Sequence, residues 1–150
     1  MALDSFVRPL CAAGLLICAS RLSIGKQGDD RDALKSYYSL VTDAGLMKTP
    51  AWNATFDENP PLSARRAIEL ATAVKNRLVK DVGLWKWGYH RVHLEYKDIP
   101  SVGRRWYWRI NFEAWFDGMP PEVAPRVDVV VLMNGRTIEP VEAKSPFKAK

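Results

Sequence analysis

Between Trp106 and Phe116 the chain alternates without a break. Trp106, Trp108, Ile110, Phe112, Ala114 and Phe116 fall on one side of an extended segment. Tyr107, Arg109, Asn111, Glu113 and Trp115 fall on the other. A helix would scatter the first group around its circumference. Period two instead commits the segment to a strand with one strongly apolar face, which must be buried against something.

The neighbouring segments supply what buries it. Over Tyr89 to Lys97, Val92, Leu94 and Tyr96 share one side, and Arg91, His93, Glu95 and Lys97 the other. Asn134-Gly135 is the dipeptide of a tight type I′ hairpin. It would place Leu132 opposite Thr137, Val131 opposite Ile138 and Val130 opposite Glu139. Val127, Val129, Val131, Met133 and Ile138 then face the core. Asp128, Val130, Leu132, Thr137 and Glu139 face away. Pro140 ends the last strand. Upstream, Ser63 is an N-cap, and Ala67, Ala71, Val74, Leu78 and Val82 make the apolar stripe of a helix stopped by Gly83.

The expected fold class is therefore α+β: one main helix packed on a four-stranded antiparallel sheet, in the order α-β-β-β-β, over residues 62–141. An additional N-terminal helix is expected from Asp29 or Asp30 to Ala44. Its apolar groups would be Ala33, Leu34, Tyr37, Tyr38, Val41 and Ala44, with Gly45 as its stop. Residues 21–28 read as a linker, 47–61 as a proline-rich loop and 142–150 as a basic tail.

The first twenty residues read as a signal peptide. The apolar run Leu10 to Ala19 suits an export signal and is shorter than the ~20 residues that span a bilayer. Arg8 precedes it, and Cys18-Ala19-Ser20 offers a cleavage site after Ser20. The expected location is the periplasm or the outside of a bacterial cell, with no transmembrane segment. Both cysteines, Cys11 and Cys18, lie in the part to be removed. The mature chain would then have no disulfide, thiol nucleophile or thiolate metal site. Asn53-Ala54-Thr55 matches a glycosylation acceptor, which in a bacterial chain is a chance match.

The formal net charge is +5 over 150 residues, and it is uneven: residues 63–150 carry 16 Lys/Arg and 10 Asp/Glu. A basic domain favours anionic partners. The residues Leu62 to Ala71 opening the helix, Trp106 to Glu113 as a central strand, and Asp128 to Ile138 as a closing hairpin together resemble the PepSY domain and, more loosely, the cystatin-like fold. The long proline-containing link from Asp117 to Pro125 departs from that pattern. The resemblance implies a small exported binding or inhibitory module rather than an enzyme, with no catalytic residue to carry over.

The side of the sheet turned away from the helix is the candidate binding face: Arg91, His93, Lys97, Tyr107, Arg109, Glu113, Trp115, Val130 and Leu132. It mixes apolar groups with charge, as interaction surfaces do. Two arrangements are open. Either the face is free to bind, or the N-terminal helix lies on it with Tyr37, Tyr38 and Val41 over Trp115, Val130 and Leu132. The leading reading is a non-enzymatic module that binds a protein, peptide or envelope polymer there. An alternative is nucleic-acid or anionic-polymer binding around Arg104 and Arg105, where aromatics interleave with arginines. Another is an unrecognised enzyme with His93 and Glu113 as acid and base. His90 and His93, three apart on a strand, point to opposite faces, and one metal could take both only across a bulge. No metal or cofactor is expected.

Overall fold

The computed structural model describes residues 34–119, 121 and 123–143. The proposed signal peptide, linker and start of the N-terminal helix, and the tail beyond Ala143, lie outside the described residues. Strand β1 is Tyr37–Tyr38, helix α1 Asp43–Leu46, helix α2 Ala64–Leu78 and strand β2 Trp85–Ile99. Strands β3 (Gly103–Phe116), β4 (Arg126–Leu132), β5 (Thr137–Ile138) and β6 (Val141–Glu142) follow. One sheet runs in the order β2-β3-β4-β1-β6, with β5 also paired to β4. The class is α+β with a core built mostly by the sheet.

The α2 stripe is as expected in its first three turns. The Ser63 hydroxyl accepts the Arg66 N–H at 3.3 Å, and Ala67, Ala71 and Val74 are buried. They meet Trp108, Ile110, Phe112, Ala114, Val127, Val129, Val131 and Met133 in one core. The helix stops at Leu78, before the expected Val82. Val82 and Trp85 instead exchange backbone bonds of 3.1 and 2.8 Å across Gly83-Leu84. Gly83, at φ 55°, makes that reversal rather than capping the helix.

β2 and β3 are longer than the alternation in 89–97 and 106–116 suggests. Their register runs from Trp85 opposite Phe116 to Ile99 opposite Gly103, interrupted by a bulge between Tyr89 and Arg91. Before the bulge, Trp85, Trp87 and Tyr89 lie opposite core-side residues of β3. After it, Val92, Leu94 and Tyr96 do.

Three expectations are corrected. The N-terminal helix is absent from its described part, residues 34–42. Tyr37 and Tyr38 are instead β1, parallel to β4 at Val127 and Asp128. Only Asp43–Leu46 is helical, capped by Thr42. A short isolated helix is marginal in water, whereas the free edge of β4 offers backbone groups that need partners. Second, the sheet has six strands among the described residues, because β1 and β6 extend it past β4. Glu142, expected in the tail, belongs to β6 and pairs with Tyr37. Third, the hairpin register is shifted by one: Val130 is opposite Ile138 and Val131 opposite Thr137. The Gly135 N–H donates to the Leu132 carbonyl at 2.8 Å, and the Leu132 N–H donates to the Arg136 carbonyl at 2.8 Å. Gly135 has φ 82°. This is a three-residue loop with glycine in the left-handed position, not a two-residue turn. It keeps Met133 in the core and turns Ile138 to the far face of the sheet.

Candidate functional site

The sheet face opposite α2 divides into three zones. At one end, Tyr107, Val130 and Leu132 are buried beneath Leu46 and Ile99, with Val41, Val102 and Ile138 around them. α1 makes this possible. The Thr42 hydroxyl accepts the Gly45 N–H at 3.3 Å, turning the chain so that Leu46 points into the sheet. Lys97 is tied to the same helix, 2.6 Å from Asp43. Tyr107, Val130 and Leu132 therefore form a second small core, and as binding residues they are corrected: the protein's own chain occupies them.

The middle zone is a polar network. The Arg109 guanidinium donates to Glu95 at 2.9 and 3.0 Å and to Asp128 at 2.6 Å. Asn111 donates to the other Asp128 oxygen at 2.9 Å. Burial opposes the Arg109 charge, but Glu95 and Asp128 outweigh it and hold its pKa above the usual arginine range. Burial pushes Asp128 upward against the pull of Arg109, and burial, with Glu95 beside it, raises the Tyr107 phenol. Arg109 is thus spent inside the molecule, where removing it would strand two carboxylates.

The remaining end is open. Arg91 and His93 are exposed there, and Trp115 is half-buried. Glu113 is only 4% exposed. His90 Nδ1 lies 3.1 Å from one of its carboxylate oxygens, and Arg126 pairs with the other at 2.8 Å. Of the nine expected residues, the structure leaves Arg91, His93 and Trp115 accessible away from α1, but not side by side. His93 is opposite Arg109 and Trp115 opposite Lys86, six β3 positions or about 20 Å apart, with the buried Glu113 between.

Sequence reasoning missed His90, Arg126 and Leu46. His90 had a signal: apolar residues fall on odd numbers at 85, 87 and 89 and on even numbers at 92, 94 and 96. That slip of phase is what a single inserted residue produces. Leu46 had none, because its role comes from a tertiary contact.

The alternative chemistries meet specific obstacles. His93 is opposite Arg109, whereas Glu113 is opposite Gly88. The pair is thus four positions apart, about 13 Å along the strands. The bulge that a joint histidine site requires is present, yet no group of three or more His, Cys, Asp or Glu suited to a metal occurs among the described residues. Arg104 donates to both Asp98 oxygens at 2.8 and 3.0 Å, and its guanidinium lies 3.9 Å over the Tyr96 ring. Trp106 packs between Tyr96 and Trp52, with ring centroids 5.0 and 5.1 Å away. These rings meet Trp106 at interplanar angles of 58° and 66°, so part of the indole is engaged by the protein's own aromatics. A cleft of about 530 Å³ beside it is lined by Trp52, Arg105 and Trp106.

No described helix is long and apolar enough to cross a membrane. Comparison with protein-family models, with curated proteins and with solved structures finds no match.

Proposed function

We propose that this chain is an exported, non-enzymatic bacterial binding module. It takes a negatively charged protein, peptide or envelope polymer on the accessible part of the outer sheet face, through Arg91 and His93, with Trp115 at the far end of the same face. The observation that carries the reading is the charge balance of that zone. Arg91 and Arg126 stand there with the imidazoles of His90 and His93, Lys86 is paired with Asp81 at 3.6 Å, and Glu113 is buried with His90 and Arg126 against it. Arg91 has no carboxylate within ion-pair distance among the described residues. An exposed guanidinium without an ion-pair partner among the described residues, flanked by two imidazoles, suits an acidic partner better than water alone. The reading of residues 1–20 as an export signal and the PepSY-like resemblance agree with such a role.

The test is binding of short poly-L-glutamate, followed by calorimetry at rising salt. The native protein binds it, and affinity falls as salt rises. The double variant Arg91→Glu/His93→Glu keeps its circular dichroism spectrum and loses about tenfold or more in affinity. Unchanged binding by the variant removes this face as the site. Arg109 is unsuitable for the test because its loss disturbs the fold.

A further inference from the structure

Among the described residues, β2 stands at the end of the sheet and pairs with β3 alone. It is 15 residues long, and in an antiparallel pair every second residue turns its N–H and C=O away from the partner. Half of its backbone groups therefore face outward over a long edge. Near its start the edge is closed: the Asp81 carboxylate accepts the Trp87 N–H at 2.9 Å. Past the bulge, from Arg91 to Lys97, the register with β3 is unbroken.

The two sides of that stretch differ in chemistry. Toward the outer face stand Arg91, His93 and Lys97, together with Glu95, whose carboxylate is held by Arg109. Toward the α2 side stand Val92, Leu94 and Tyr96, and Tyr96 is 49% exposed. A strand laid along this edge would meet basic groups on one side and apolar groups on the other, with period two. A second copy of β2 would set basic rows side by side, and like charges across strands repel. The bulge and the cations thus guard the edge against self-association. They do not guard it against an acidic strand.

Building on the proposed charge reading of the open face, we infer that β2 receives an extended segment of the partner as an added strand. Its acidic residues lie against Arg91 and His93, and its alternate apolar residues lie against Val92, Leu94 and Tyr96. Backbone hydrogen bonds hold the segment, and the alternation of the edge selects it.

The probe is a labelled synthetic peptide of alternating glutamate and valine, about seven residues long to match the Arg91–Lys97 stretch. Two isomers are N-methylated, one on every glutamate amide and one on every valine amide. Successive amides of a strand point in opposite directions, so only one set faces β2. One isomer is expected to bind about tenfold or more weakly than the parent, and the other within about threefold. Amide exchange slows at alternate residues of Arg91–Lys97. Equal effects of the two methylations, or exchange unchanged along β2, overturn strand addition. A protein that binds poly-L-glutamate but not the alternating peptide overturns strand addition and leaves the charge reading standing. Binding to neither overturns both.

Discussion

Ser39 sits where the edge of β4 changes partners. β1 pairs with Val127 and Asp128, and β5 with Val130 and Val131. Between them the Ser39 hydroxyl lies 3.1 Å from the Asp128 carbonyl and 3.0 Å from the Ile138 carbonyl, and accepts the Val130 N–H at 3.2 Å. The hydroxyl thus replaces ladder bonds that neither strand can supply. Ser39→Ala removes it and strands buried backbone groups, at a cost of about 1–3 kcal/mol. Urea unfolding measures the loss, and an unchanged midpoint would show that these groups find other partners. Nothing in the residues around Ser39 announces this role, because its partners lie some ninety positions away. The stripe of Ala67, Ala71 and Val74, in contrast, was legible at once, since a helix face is written in its own spacing.

At the scale of elements, the closing hairpin shows how far local signals reach. Asn134-Gly135 correctly marked a reversal, and the core side of β4, read from the two-residue register it suggested, stood. The register of β5 did not, because the same dipeptide serves a two-residue and a three-residue loop. The longer loop sets Ile138 beside Val130 and Leu132 on the far face, and a slip of one residue turns Ile138 and Thr137 over. Gly135→Ala tests the loop. The nearest atom to a new Cβ is Leu70 Cδ1 at 4.0 Å, so space is ample, but φ is 82°. The left-handed strain alone is expected to cost about 1–2 kcal/mol, measured as a lower chemical-denaturation midpoint. In a type I′ turn Gly135 would also be left-handed, so the register itself is read from cross-strand contacts between Val130 and Ile138 by NMR. β2 carries the parallel lesson: its bulge was legible as a phase slip in the apolar residues, and its extension back to Trp85 as the alternation of Trp85, Trp87 and Tyr89.

For the whole molecule, the main consequence of the fold is that the outer sheet face is shared. Residues 41–46 cover one end, an internal ion network holds the middle, and the far end stays accessible. Leu46 is the wedge of the covered end, fully buried on Tyr107, Val130 and Leu132. Leu46→Ala is expected to cost about 2–5 kcal/mol and to increase binding of a hydrophobic dye to the exposed patch. Exposed Leu40→Ala serves as a control that changes neither. Poly-L-glutamate binding by Leu46→Ala, at temperatures where it remains folded, stays native-like, because the basic end lies away from α1.

The alternation of Trp106 to Phe116, the α2 stripe, the α+β class and the core side of β4 followed from residues close together in the chain. Spacing along a strand or helix dictates which side chains share a face. The pairing of Tyr37–Tyr38 with β4, the placement of Leu46 over Tyr107, and the division of the outer face depended on contacts between distant segments. Those contacts satisfy edge backbone groups and bury apolar area that local spacing leaves open to several partners. The same reasoning separates the nine expected face residues. Their common side was legible from period two, while their exposure followed from what the rest of the chain laid over them.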